Sequence, residues 1–236
     1  MSAIRNLLNY LNAFFELFFP ALCNACGNHL YEGESLICVE CRMSLPYTND
    51  WMEQGDNVCE KLFYGRAKIS AASSFLTFRK KSGVQKILHE LKYKHHEELG
   101  ALMGRMHASV LKDTARFNEV DLVIPIPLHP KKFRERGYNQ AELIAEGYAT
   151  IFETKVDNYT LQRCINTSSQ TRKSRYQRYE NMKDVFVVNQ VNNIQNKNIV
   201  LVDDVITTGA TISSAAEKLL EAGAKRVMVV SVAVVP

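Results

Sequence analysis

The sequence predicts an α/β protein, a parallel sheet flanked by helices, preceded by a small cysteine-rich module. Three observations predict it. From Ile69 to the C-terminus, apolar runs of strand length alternate with longer helical patterns, as when parallel strands are joined by crossover helices. In Asn198-Ile-Val-Leu-Val-Asp-Asp-Val-Ile-Thr-Thr-Gly-Ala-Thr211, a short apolar strand, Ile199 to Val202, is followed by two carboxylates, a loop of small residues and a helical pattern from Ile212 to Glu221. Four of the six cysteines fall in one segment, Cys23-x2-Cys26, eleven residues, then Cys38-x2-Cys41.

At 236 residues the chain accommodates a domain of ~150–200 residues and a smaller module. The apolar fraction of 46% is that of an ordinary globular protein, and a net charge of +4 does not by itself announce nucleic acid. The positive charge is unevenly placed. Lys131, Lys132, Arg134 and Arg136 form one cluster, and Arg172, Lys173, Arg175 and Arg178 another. A solvated face explains such runs as well as a binding surface does.

Residues 1–22 form the first unit. Leu7, Leu8, Leu11, Phe14, Phe15, Phe18 and Phe19 recur at helical spacing, while Asn6, Asn9, Asn12 and Glu16 occupy another face. An amphipathic helix packed on the protein or on a partner is expected, with peripheral membrane contact as the alternative. No transmembrane span is expected, because the stretch falls short of ~20 mostly apolar residues. It also lacks the layout of a cleaved signal peptide.

The second unit, residues 23–60, carries the cysteines. The spacing is that of a tetrathiolate zinc site, each C-x2-C turn presenting two sulfurs to one tetrahedral ion. An iron–sulfur cluster or two disulfides are the alternatives, and disulfides require an oxidising compartment. Four thiolates close the coordination sphere, so Zn2+ held by Cys23, Cys26, Cys38 and Cys41 would be structural. Gly27 to Glu34 is long enough for a small hairpin, and no ligand role is expected of His29 within it. Cys59 and Cys164 stand alone and read as reduced thiols. Past Pro46 a polar connector with Trp51, Gly55 and Cys59 leads onward.

The third unit, residues 61–236, supplies the sheet. Strands are expected over Ile69 to Phe78, Asp121 to Pro127, Thr160 to Cys164, Val185 to Val188, Ile199 to Val202 and Arg226 to Val234. Helices are expected over Lys86 to Tyr93, Leu99 to Leu111, Tyr138 to Phe152 and Ile212 to Glu221. In such a sheet, ligands belong at the carboxyl ends of the strands.

That rule directs attention to Asp203 and Asp204. The loop Thr207, Thr208, Gly209, Ala210 and Thr211 leads into a helix whose first N–H groups have no intrahelical acceptor and whose dipole favours an anion. Gly209 lets the backbone approach a phosphate, and the adjacent carboxylates suit a ribose diol or a Mg2+ ion beside one. The element reads as a clamp for a sugar phosphate.

Two further segments carry candidate chemistry. Leu128 to Gln140 follows the strand ending at Pro127, and Lys131, Arg134, Arg136 and Gly137 are nominated there for a second anion. Ser168 to Met182 is polar and basic, with Gln170, Arg172, Arg175 and Arg178 interleaved with Tyr176 and Tyr179. This reads either as a flap closing over a reacting sugar or as a surface for single-stranded nucleic acid. His89, Lys92, Tyr93 and Lys94 form a weaker set that a helix surface explains equally well.

The run from Asn198 to Thr211 closely resembles the phosphoribosyl-pyrophosphate (PRPP) motif of the type I phosphoribosyltransferases. That resemblance implies a type I phosphoribosyltransferase fold with a small N-terminal zinc-ribbon-like module. It places the ribose hydroxyls at Asp203 and Asp204, the 5′-phosphate at Thr207 to Thr211, and the pyrophosphate, with Mg2+, at the basic loop after Pro127. The ordered set of an apolar N-terminal helix, the four cysteines, Leu91-Lys-Tyr93, Pro125-x-Pro127, Arg136-Gly-Tyr-Asn-Gln140, Gln170-Thr-x3-Arg175 and the PRPP motif resembles the ComF family of bacterial late-competence proteins. It implies a cytoplasmic protein, at the inner face of the membrane if the first helix touches lipid, that assists uptake of transforming DNA beside a competence helicase. The family's flap commonly reads Q-T-G-L-S-R, and Arg172 and Lys173 here make it more basic. Two functions stay open: phosphoribosyl transfer to an unidentified acceptor, or a non-catalytic module that binds single-stranded DNA or a helicase and uses PRPP as a regulatory ligand.

Overall fold

A computed structural model of the chain describes residues 20–52, 55–94, 96–163 and 185–236. The expected helix of residues 1–22 lies almost wholly outside the described residues. So do Cys164 and the nominated flap residues Gln170, Arg172, Arg175 and Arg178.

The cysteine segment is short on regular structure, as its Gly and polar content dictates. Single antiparallel bridges join Leu22 to His29 and Ser35 to Ile37. The second C-x2-C turn runs into α1 (Val39–Ser44), whose N-cap is Cys38. The connector is polar, yet it is built into the core. It holds a 3-10 turn at Asp50–Met52 and α2 (Val58–Lys61). Its buried polar groups Asp50, Asn57 and Glu60 bond to the first strand. Asp50 accepts from Ser74 N at 3.1 Å, Asn57 donates to the Ala72 carbonyl at 2.9 Å, and Glu60 accepts from Ala72 N at 3.1 Å and from Arg116. A buried polar side chain needs such partners, which is why this polar connector packs as part of the domain.

From there the chain forms β1 (Ala71–Thr77), α3 (Gly83–Tyr93), α4 (Glu97–Leu111), β2 (Leu122–Pro125), α5 (Pro130–Arg136), α6 (Gln140–Phe152), β3 (Lys155–Val156), β4 (Leu161–Arg163), β5 (Phe186–Val188), α7 (Val191–Ile194), β6 (Asn198–Ile206), α8 (Ala210–Glu221) and β7 (Arg226–Val234). The main sheet has the order β1-β7-β6-β2-β3, all pairs parallel. β4 and β5 form a separate antiparallel ribbon.

Period-two alternation divides each central strand between two cores. Val200, Val202, Met228 and Val230 pack with α3, α4 and α6. Ile199, Leu201, Val227 and Val229 pack with α8, Phe63 and the ribbon residues Leu161 and Phe186. The first core continues into the cysteine segment through Cys23, Ala25, Leu30, Ile37 and Leu45. Helices α4 and α6 approach at paired glycines. A Cβ on Gly104 would lie 2.2 Å from the Ile144 carbonyl oxygen, and one on Gly147 2.2 Å from that of Ala101.

His107 is fully buried at this junction. Its Nε2 lies 3.0 Å from Ser73 Oγ and its Nδ1 2.5 Å from Tyr148 Oη, and it stacks on Phe75. Loss of solvent pushes its pKa down to about 3, so it is a neutral hydrogen-bonding member of the core.

β1 is an edge strand, and the connector covers its outer side. Thr77 N donates to the Pro46 carbonyl at 2.8 Å, Thr48 N to that of Phe75 at 3.2 Å, and Tyr47 bridges Leu76.

Candidate functional site

Strand β6 does not end at Val202, as its apolar run suggests, but continues through both acids to Ile206. β2 stops pairing at Val202, whereas β7 pairs on through Asp203↔Ser231, Val205↔Ala233 and Ile206↔Val234. One side of β6 is thereby bare beyond Val202, and the carboxylates face a cleft there. α8 likewise begins at Ala210, two residues before the apolar periodicity starts.

The cleft has a volume of about 510 Å³ and lies at the carboxyl ends of β2 and β6. Its walls come from α3 (Leu88, Lys92, Tyr93), the segment after β2 (Pro127, Lys132, Arg136), β4 (Arg163), and Asp203, Asp204, Thr207 and Thr211. Four cationic side chains thus meet two carboxylates around one concavity, a charge balance suited to a ligand with several negative charges.

The carboxylates are not equivalent. Burial, and then the neighbouring Asp204 charge, push the pKa of Asp203 up to about 8, although Asp204 N donates to its Oδ1 at 2.8 Å. Asp204 is paired with the Lys92 ammonium at 2.8 Å. Arg163 sits over the Phe186 ring, 5.5 Å from its centroid. Burial lowers its pKa, and the charge of Asp203 opposes that effect. Arg136 donates to Gln140 Oε1 at 2.6 Å and lies over Tyr93.

Beside the cleft, Asp203 and Val205 to Ile212 line a hollow of about 40 Å³. Gly209 is the N-cap of α8, at φ 73°. A Cβ there would lie 3.0 Å from Phe63 Cε1, so the loop needs glycine for both its conformation and its packing. Arg66 donates to the Thr208 carbonyl. Thr207, Thr208 and Thr211 are exposed, leaving hydroxyls and first-turn N–H groups open to an anion.

The structure therefore brings Asp203, Asp204, Thr207, Thr211 and Arg136 to the cleft, and Thr208, Gly209 and Ala210 to the adjoining hollow. Three nominated residues line neither. Lys131 and Arg134 are exposed on α5, a seven-residue helix where a loop is expected, begun by Pro130 with His129 as its N-cap. Gly137 ends that helix at φ 80° and donates to the Phe133 carbonyl at 2.7 Å. Lys132, on another side of the same turn, takes the place of Lys131. Lys92 and Arg163 were not distinguishable in the sequence. Leu91-Lys-Tyr93 reads as a helix surface, and only the fold carries the end of α3 to Asp204.

The other candidate centre is the cysteine cluster. The Sγ atoms of Cys23, Cys26, Cys38 and Cys41 all lie within 4.8 Å of one another, and those of Cys26 and Cys38 are 3.9 Å apart. A metal–sulfur length of about 2.3 Å implies tetrahedral edges of about 3.8 Å, so the residues fit. All four are free thiols, as is buried Cys59. Ala25 N and Cys38 N donate to Cys23 Sγ at 3.4 and 3.3 Å, Asn28 N to Cys26 Sγ at 3.3 Å, and Cys41 N to Cys38 Sγ at 3.4 Å. Burial alone would raise the Cys23 pKa, but backbone N–H groups of Cys26, Cys38 and Ala25 bring it down to about 6, while burial and the neighbouring thiols raise that of Cys41. The set can hold a metal ion such as zinc. Its Ala25 packs on Gly83 at the start of α3, and Lys86 donates to the Cys26 carbonyl at 3.0 Å.

Among the described residues, no helix is long and apolar enough to cross a membrane.

The chain matches a family model described as "Phosphoribosyl transferase domain" over residues 141–235. It is 29% identical over 146 residues to "DNA utilization protein YhgH" of Salmonella typhimurium, covering 61% of this chain and 63% of that protein. It is 26% identical over 147 residues to "Competence protein F" of Haemophilus influenzae, covering 61% and 64%. With "Competence protein ComFC" of Bacillus subtilis it shares 35% identity over 102 residues, covering 43% and 39%. The chain thus spans less than two thirds of the length of each of these relatives. With a match to a phosphoribosyl transferase domain toward its C-terminal end, a four-cysteine cluster near its N-terminus and relatives of these names, the chain is similar to the ComF family.

Proposed function

We propose that the protein binds PRPP as its Mg2+ complex in the cleft and acts, through that site, in the uptake of DNA during natural competence. One observation carries the ligand reading. The Asp203–Asp204 pair, the hollow at Thr207 to Thr211 and the cations Lys132, Arg136 and Arg163 surround one concavity, matching the diol, 5′-phosphate and pyrophosphate of PRPP in turn. The role in competence is supported by the names of the relatives, and a cytoplasmic setting goes with it. Zinc is the metal proposed for the four thiolates.

In this reading the acids orient the ribose, and the first turn of α8 holds the 5′-phosphate with backbone N–H groups and threonine hydroxyls. Mg2+ would be held by the acids and the ligand's oxygens and would neutralise charge on the pyrophosphate. If an acceptor enters, its nucleophilic atom bonds to C1 as the C1–O bond breaks, and pyrophosphate departs with the electron pair. Arg136 and Lys132 would stabilise that leaving group. The other reading keeps the same ligand without transfer, PRPP tuning the binding of single-stranded DNA or a helicase.

Calorimetric titration of PRPP in Mg2+ tests the common part. Binding is expected in the wild type and lost in Asp204→Asn, and a wild type that does not bind PRPP sinks it. Release of pyrophosphate on adding nucleobases or single-stranded DNA, abolished in Asp204→Asn, would select transfer. Salt-dependent DNA binding that responds to PRPP without such release would select docking.

A further inference from the structure

We infer that Lys92 is a built-in stand-in for the divalent cation, occupying Asp204 until a metal arrives together with a phosphate ligand. The inference rests on the reading of the cleft as a Mg2+–PRPP site and adds an order to its filling. Among the described residues, Lys92 is the cleft cation in direct ion-pair contact with an acid, at 2.8 Å from Asp204 Oδ2. Both side chains are mostly shielded, at 24% and 16% exposure, so the pair is screened less than a surface pair. Arg136 is engaged by Gln140 and Tyr93, and Arg163 lies by Phe186.

The helix that presents Lys92 is held at three points. Leu88 and Leu91 are buried beneath it, Tyr138 Oη donates to the Leu91 carbonyl at 2.5 Å, and its first turn abuts Ala25 of the cysteine module. The backbone of α3 is therefore fixed, while the flexible lysine stem leaves the ammonium free to move.

A divalent cation arriving alone must displace this ammonium and leave it beside the new charge, with Lys132, Arg136 and Arg163 around the same cleft. A cation arriving with a polyphosphate brings the ammonium a new partner. Metal and lysine then exchange: the metal takes Asp204 and the lysine takes a phosphate oxygen. The two ligands are thereby linked, each raising the affinity for the other, and the site resists bare metal.

Two titrations on the full chain test this. Bare Mn2+ is followed by electron paramagnetic resonance, and PRPP in Mg2+ by calorimetry. In Lys92→Met, with the fold checked by circular dichroism, bare Mn2+ should bind about tenfold tighter and PRPP about tenfold weaker, the scale of losing one charged hydrogen bond. Adding Asp204→Asn should abolish the Mn2+ gain. Lys92→Gln provides the same test if the methionine variant folds poorly. A purely structural role for Lys92 would weaken both ligands, and that outcome overturns the inference, as does an unchanged affinity for either. If the wild type binds no PRPP, the PRPP reading fails separately, and the Mn2+ titration still decides whether Lys92 guards Asp204.

Discussion

The four sulfurs of the cysteine module come from one stretch, Cys23 to Cys41, and turn inward on one another. The charged groups of the cleft come from α3, the segment after β2, β4 and β6, and turn toward open space. The first site is complete in itself, and a tetrahedral ion would leave no vacant coordination position. The second is left with unbalanced charge, an acid held up to about pKa 8 and an ion pair awaiting exchange. Groups gathered locally and closed serve to hold structure, whereas groups gathered from distant elements and left open serve to bind. The two are joined by α3, which packs against Ala25 of the cysteine module at Gly83 and reaches Asp204 at Lys92.

The largest expected effect comes from breaking the closed site. Cys38→Ser should lose the metal and several kcal/mol of stability, lowering the thermal midpoint by about 10 °C or more. Scanning calorimetry with metal analysis checks it. Because α3 leans on the module, PRPP binding should fall as well. A variant that loses its metal but keeps its melting point and ligand would show the two regions to be independent.

Next in size is Gly209→Ala, which strains the left-handed N-cap of α8 and presses on Phe63. A stability loss of about 1–2 kcal/mol is expected from denaturant unfolding. The anion hollow should suffer more than the fold, with PRPP affinity down about tenfold or more, while bound metal stays at the wild-type level.

The core between the two regions has its own signature. His107, with a pKa of about 3, takes up its proton far below the ordinary histidine value of 6.5. Between these values the unfolded chain binds the extra proton and the folded chain does not. Its contribution is thus fully present above pH 6.5 and is lost progressively as pH falls toward 3. Urea titrations across that window should show a shallower pH dependence in His107→Gln. An unchanged slope would assign the acid sensitivity to other groups, the thiolates among them.

The smallest effect is expected away from both regions. Lys112 and Glu153 form an ion pair at 3.3 Å between mostly exposed side chains, and Lys112→Ala should change unfolding free energy by less than about 0.5 kcal/mol. A larger change would mean that the junction of α4 and α6 is held by more than its interlocked glycines.

How much could be read in advance follows the same division. The cysteine cluster was legible because one tetrahedral ion fixes the spacing of its ligands along the chain. The alternation of apolar runs gave the parallel sheet, and the PRPP-like run placed both acids and Thr207 to Thr211 around one concavity, because strand, loop and helix start are consecutive. Lys92 and Arg163 were not legible, since nothing local distinguishes a lysine at the end of α3 from any solvated one. Lys131 and Arg134, nominated with Arg136, do not line the cleft for a related reason. Helix α5 sends residues three and four apart to one face, so one basic run serves both cleft and solvent, and only Lys132 and Arg136 face inward. Strand β6 was read too short because hydropathy drops at Asp203 while pairing to β7 continues.

The connector that runs along β1 has a consequence beyond the site. With Pro46 to Thr48 in place, the outer edge of β1 is already occupied at Phe75 and Thr77. Trimming the chain to its C-terminal domain would uncover a seven-residue strand rich in apolar and small side chains, Ala71-Ala-Ser-Ser-Phe-Leu-Thr77, with free backbone donors and acceptors. Such an edge recruits other strands. The shortened protein would be expected to self-associate, so the cysteine-bearing segment also guards this edge.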